Sequence, residues 1–217
     1  MSLGVNVLDQ PRLPGSRYYQ IVIWSSIAGS FPGKISHFMD RALKDQPIRV
    51  SFVQLRRTGS PRLSTSLAHL RRTVSKNQRC CQLHVIVPNT AEVFDDGLAT
   101  DFYPLVRNFV NSALNFSKNH QFFICNFLFP SMITQSQSQK IEHCNLALRN
   151  AFETAQLNLN PDFHFIDIAT PLSEGYLYPT GDLDMFEPEA PSLLNAFGLE
   201  CLAAELSKHI VTKSLPL

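Results

Sequence analysis

No stretch of these 217 residues stays apolar long enough to cross a bilayer. The longest runs, such as Phe122 to Phe129, are short and broken by Asn126, whereas a spanning helix needs about 20 apolar residues. Met1 to Ser16 has no basic-then-apolar pattern, so no secretory leader is expected. The five cysteines, Cys80, Cys81, Cys125, Cys144 and Cys201, lack the paired spacing of a disulfide framework. An odd count of this kind fits the reduced thiols of a cytosolic protein. Zinc-type His/Cys spacing is missing too, and neither a metal nor a cofactor is expected. There is no internal repeat and no composition break that demands a second domain. Residues 1–17, with Pro11, Pro14 and Gly15, read as an irregular lead-in, and residues 18–217 as one domain.

What the chain does have is a core and a rhythm. Hydrophobic residues make up 44% of it and sixteen are Phe, the composition of a folded domain. Short apolar runs suited to buried strands occur at Tyr19–Trp24, Ile48–Leu55, Leu83–Val87, Gln121–Phe129 and Phe163–Ile168. Between them lie segments of helical period. Lys34–Asp45 carries Ile35, Phe38, Met39, Ala42 and Leu43, and Ser64–Lys76 carries Leu67, Leu70 and Val74. Asp101–Lys118 carries Phe102, Leu105, Phe109 and Ala113. After a polar turn at Thr134–Gln139, a further helix runs through Ile141, Leu148, Phe152 and Ala155. A Pro- and acid-rich loop then leads to a last helix, roughly Leu194–Val211, with Leu199, Leu202, Leu206 and Ile210 aligned. Five such strands alternating with helices predict an α/β fold, a five-stranded parallel sheet sandwiched by helices.

Charge is distributed very unevenly. Arg41 to Arg79 holds ten Arg or Lys against one acid, Asp45, a local net charge of +9 in a chain whose total is +1. A patch this concentrated attracts polyanions. Eight of the ten are arginines, whose planar forks match phosphate oxygens and stack on bases. Arg49, Arg56, Arg57, Arg62, Arg71, Arg72, Lys76 and Arg79 are the candidate RNA-contacting residues. On the expected helix, Arg72, Lys76, Arg79 and His69 fall opposite the Leu67–Leu70–Val74 stripe, with Arg71 on its flank. Four to six phosphate contacts would give salt-sensitive binding with a slope of roughly −0.7 per contact and little base preference. The patch has no interleaved aromatic residues beyond Phe52, and no RNA-recognition-motif signature is present. The competing readings are a solvated basic face and a face that docks an acidic protein. Glu174 to Glu189 carries Glu174, Asp182, Asp184, Glu187 and Glu189 without a basic residue, and its spacing is not that of a calcium loop.

Several blocks carry a family resemblance. Trp24-Ser25-Ser26 follows the first strand, Gly59 lies after the second, and Val87-Pro88-Asn89-Thr90 follows the third. Leu193-Leu194-Asn195-Ala196-Phe197-Gly198 precedes the last helix. Over nearly the whole chain this resembles the SGNH (GDSL-type) hydrolases, which implies a flavodoxin-like strand order. The family's blocks are G-D-S, a glycine, G-x-N-D and D-x-x-H-x-N-x-x-G. Ser26, Gly59, Asn89, Asn195 and Gly198 match them, but Ala190 stands at the Asp position and Leu193 at the His position. Asp-x-x-His, Glu-x-x-His and G-x-S-x-G are all absent. A serine needs a base, and the base an orienting partner, before it attacks at neutral pH. The sequence therefore leads to the expectation that the chain is not an enzyme, with no catalytic residues. Residual hydrolysis through Ser25 or Ser26 is the minor alternative.

Among degenerate members, the chain resembles the OSK domains of insect germ-plasm proteins. The similarity lies in WSSIAGSFPG (residues 24–33), FVQLRRTGSPRLSTSLAHLRRTVSK (52–76) and PSLLNAFGLECLAAEL (191–206). It implies binding to messenger RNA 3′ untranslated regions, germ-granule protein partners, and a cytoplasmic, germ-granule location without membrane attachment.

Overall fold

The computed structural model describes residues 17–25, 31–44, 48–54, 82–94, 104, 108, 120–129, 133–158, 163–169, 186–187 and 190–214. Five strands form one sheet: β1 (Arg17–Ser25), β2 (Ile48–Gln54), β3 (Gln82–Val87), β4 (His120–Cys125) and β5 (Phe163–Ile166). Every pairing is parallel, in the order β2-β1-β3-β4-β5. This is the flavodoxin-like, doubly wound arrangement expected from the sequence. Strands covered on both faces read as unbroken apolar runs, and Ile21, Val22, Ile23 and Trp24 are buried in succession.

Alternation along the strands divides the core in two. Ile21, Ile23, Leu83, Val85, Val87, Phe123 and Cys125 face one side, against α1 (Phe31–Ala42) and α3 (Ala196–Ser214). Val22, Trp24, Ile86, Phe122, Ile124 and Phe163 face the other, against α2 (Gln135–Asn158). Helical period selects the matching stripes: Ile35, Met39 and Leu43 for α1, Ile141, Cys144, Leu148 and Phe152 for α2, and Leu199, Leu202, Leu206 and Ile210 for α3. Ala42, assigned to the α1 stripe from sequence, is exposed at the helix end.

Element boundaries differ from the sequence expectation for identifiable reasons. Arg17 belongs to β1 and pairs with Ile48, so it is not part of an irregular lead-in. α1 starts at Phe31, placing Pro32 in the first turn, where the missing N–H would have no intrahelical partner anyway. The polar Thr134–Gln139 stretch is not a turn but the start of α2. Thr134 N–H donates to Gln137 Oε1 at 2.9 Å, and Gln137 N–H donates to Thr134 Oγ1 at 3.3 Å. That reciprocal pair is a Thr-x-x-Gln capping box. The strand expected to run to Phe129 stops at Cys125. From Asn126 onward, side-chain bonds replace most of the ladder. Within the Pro- and acid-rich region, β6 (Phe186–Glu187) and β7 (Ala190–Leu194) form an antiparallel pair. The helix expected at Ser64–Lys76 lies outside the described residues. So does the one at Asp101–Lys118, apart from Pro104 and Asn108, both helical and exposed.

Candidate functional site

In an open parallel sheet, ligands bind outside the carboxyl ends of the strands, where the winding reverses. Here the reversal lies between β1 and β3, since β2 flanks β1 on one side and β3 on the other. The register pairs Ser25, the last residue of β1, with Val87, the last of β3. Asn89 follows two residues later. Its side-chain Oδ1 accepts the Ala91 N–H at 3.0 Å, and its carbonyl accepts the Glu92 N–H at 3.0 Å. Asn89 thereby opens a 3-10 turn, Thr90–Phe94. Thr90 Oγ1 donates to the Leu128 carbonyl at 2.7 Å and pins that turn to the segment after β4.

The same edge is braced further along the sheet. Asn126 Oδ1 accepts the N–H groups of Ile168 and Ala169, each at 3.0 Å, while its Nδ2 donates to Asp167 Oδ1 at 2.7 Å. The other Asp167 oxygen pairs with the Arg149 guanidinium, which also lies over the Phe165 ring. Asn145 of α2 holds both backbone groups of Phe127. Oriented amides and one ion pair therefore fix the ends of β4 and β5 to α2.

The final family block is also in place. Asn195 caps α3, its Oδ1 accepting the Gly198 N–H at 2.9 Å, as an N-cap does. Ala190 and Leu193 lie on β7, and neither residue type carries a titratable atom. Two histidines elsewhere are neutral near pH 7. Burial, reinforced by the charge of Lys213, lowers the His164 pKa to about 4. Burial also lowers that of His209, helped by Lys208 and Lys213 and opposed by Glu205 and Asp167. His164 sits on β5, with β3 and β4 between it and β1. Three interstrand spacings place it about 14 Å from β1.

Sequence reading missed a buried polar chain on the α2 face. Trp24 Nε1–H donates to His84 Nδ1 at 3.1 Å, and His84 Nε2 lies 3.1 Å from His120 Nδ1. Burial, with the neighbouring His120 second, lowers the His84 pKa to about 3. A neutral His84 that accepts at Nδ1 carries its proton on Nε2 and so donates to His120. The one available signal was Trp24 itself, because a buried indole N–H needs an acceptor.

Of the candidate RNA-contacting residues, Arg49 lies on β2, the edge strand, in register with Tyr18. Arg56, Arg57, Arg62, Arg71, Arg72, Lys76 and Arg79 lie outside the described residues, as do Ser26 and Gly59. Among the described residues, no group of three or more His, Cys, Asp or Glu is placed to hold a metal ion. No described helix is long and apolar enough to cross a membrane. Cys125, Cys144 and Cys201 are buried, and burial pushes Cys125 and Cys144 above the usual thiol range, for Cys144 against the opposing charge of Lys140.

Neither a family model nor a curated protein matches the sequence. Solved structures do match its fold. A family 3 carbohydrate esterase from Clostridium thermocellum superposes with a TM-score of 0.64 at 10% identity, covering 90% of this chain and 96% of that one. A lipase/acylhydrolase from Enterococcus faecalis gives 0.61 at 12% identity, covering 90% and 96%. A lipolytic G-D-S-L protein from Veillonella parvula gives 0.60 at 11%, covering 88% and 97%. The chain has the SGNH-hydrolase-like fold.

These structures correct the expectation that the chain is not an enzyme. The architecture that they share with it is one of esterases and lipases. That expectation rested on Ala190 and Leu193 standing at two family positions. A catalytic base is defined by its geometry and role, however, and not by its place in a motif, so those two residues do not exclude hydrolysis.

Proposed function

We propose that this chain is an RNA-binding domain on an SGNH-hydrolase-like scaffold. In this reading it acts in the manner of the C-terminal OSK domain of Oskar, which it resembles in the three sequence blocks above. The observation that carries the proposal is the net charge of +9 between Arg41 and Arg79 in a chain of net charge +1. The segment begins at the end of α1, runs through β2, whose Arg49 lies on an edge strand, and leads toward β3. Arginine forks neutralise successive phosphates, and released counterions supply affinity that falls with salt. The ligands proposed are messenger RNA 3′ untranslated regions, with germ-granule proteins as further partners and cytoplasmic germ granules as the setting. The test is RNA affinity across a salt series for the wild type and for a variant with Arg56, Arg57, Arg71 and Arg72 changed to Glu. The proposal requires micromolar, salt-sensitive binding that the variant loses.

Ester hydrolysis at the carboxyl edge of the sheet is a second reading, favoured by the esterase and lipase neighbours. It uses a different part of the molecule and is tested separately. Turnover of a short-chain ester that Ser26→Ala abolishes supports it, and turnover that survives both Ser26→Ala and Ser25→Ala removes these serines from it.

A further inference from the structure

The outward face of α1 is basic in a regular way. Lys34, His37 and Arg41 recur at i, i+3 and i+7, and Lys44 follows in the closing turn at i+10; all four are exposed. Helical period puts them on one stripe, directly opposite the buried Ile35–Met39–Leu43 stripe. At about 1.5 Å of rise per residue the stripe extends about 15 Å, long enough to follow a backbone past several phosphates. Its last two members, Arg41 and Lys44, are the first two charges of the arginine-rich segment, and Lys44 is separated from β2 by only three residues. Two acids temper it. Asp40 is exposed on its flank, and Glu200 of α3 reaches Arg41 across the helix pair at 3.7 Å. Side-chain exposures of 74% and 56% make that pair a weak surface contact that an incoming phosphate can displace.

We infer that the α1 stripe Lys34–Arg41–Lys44 is a phosphate-contacting surface that extends the proposed RNA site, with Glu200 as an intramolecular competitor for Arg41. The inference rests on the RNA-binding reading. Rigid helix and strand anchors complement the segment that follows, because both ends of the stripe are set by packing of α1 on the sheet and on α3. His37, between Lys34 and Arg41, adds a ring for contact with sugar or base.

The experiment uses the full chain and a labelled single-stranded oligoribonucleotide. Affinity is measured over a salt series for wild type, the triple variant Lys34→Glu/Arg41→Glu/Lys44→Glu, Glu200→Gln, and the four-arginine variant described above. Circular dichroism and melting establish that each is folded. The triple variant is expected to bind about tenfold or more weaker, with a salt slope shallower by roughly 2, about 0.7 per lost phosphate. Glu200→Gln is expected to bind about two- to threefold tighter, as release of a surface ion pair allows. If the four-arginine variant loses binding while the triple variant and Glu200→Gln match wild type, the α1 inference is overturned and the RNA reading stands. This is also the result expected if the stripe serves an acidic protein instead. If folded wild type binds no RNA at low salt, both fall.

Discussion

The two faces of the sheet are each covered by helices, yet different interactions hold them. On the α1/α3 face the described core is mainly aliphatic, and α3 reaches it with Leu199, Leu202, Ala203, Leu206 and Ile210 among others. On the α2 face the register aligns Val22, His84, Phe122 and Phe163 across four strands. There His84, Phe122 and Phe163 stack at centroid distances of 4.8 to 5.0 Å. The Trp24–His84–His120 chain runs through the same layer. Both faces rest on burial, with Phe123 also against the His164 ring at 5.0 Å on the first, while the second adds a stacked row of rings and a chain of buried hydrogen bonds, which are costly to leave unmade.

The largest expected effects come from truncating each face. Phe122→Ala should destabilise by about 3–5 kcal/mol and Leu206→Ala by about 2–5 kcal/mol, read from urea denaturation. Phe122 is the more sensitive site because its loss also removes stacking partners for His84 and Phe163. The next contrast is with pH. A neutral buried His84, with its pKa lowered from 6.5 to about 3, must be protonated as the chain unfolds in acid. Its contribution is complete above pH 6.5 and is lost as pH falls toward about 3, because the unfolded state binds the extra proton. His84→Phe should therefore flatten the pH dependence of stability by about one proton in that window. It should also destabilise by about 1–3 kcal/mol at neutral pH, by removing the Nδ1 acceptor that the Trp24 N–H uses. Leu206→Ala should leave the pH profile parallel to that of the wild type. The smallest effects concern the caps. Asn195→Ala on α3 and Thr134→Ala on α2 should each cost about 1 kcal/mol in thermal unfolding, the exposed Thr134 the less of the two.

The sheet was legible because parallel strands buried on both faces leave uninterrupted apolar runs, as in Ile21–Trp24 and Leu83–Val87. Helix α3 was legible from Leu199, Leu202, Leu206 and Ile210, all buried at the expected period. The start of α2 was misread because Thr and Ser favour turns and caps alike, and the Thr134–Gln137 pairing decides between them. Pro188 and Pro191 disguised β6 and β7 as loop, although proline is tolerated in edge strands. The His84 chain joins residues 36 and 60 positions apart, a distance that no local pattern encodes. Of the site, Asn89 and Asn195 were identified from their motif positions, and both proved to open a helical turn. Sequence position misled on catalysis, since the absence of a base from one motif says nothing about geometry elsewhere.

RNA binding by the arginine-rich segment, as proposed, is tested by titrating labelled single-stranded RNA at low and near-physiological salt. The account predicts micromolar affinity for the folded wild type at low salt, a steep loss as salt rises, and no binding once Arg56, Arg57, Arg71 and Arg72 are Glu. Equal binding by wild type and that variant, or none by the folded wild type, would contradict it.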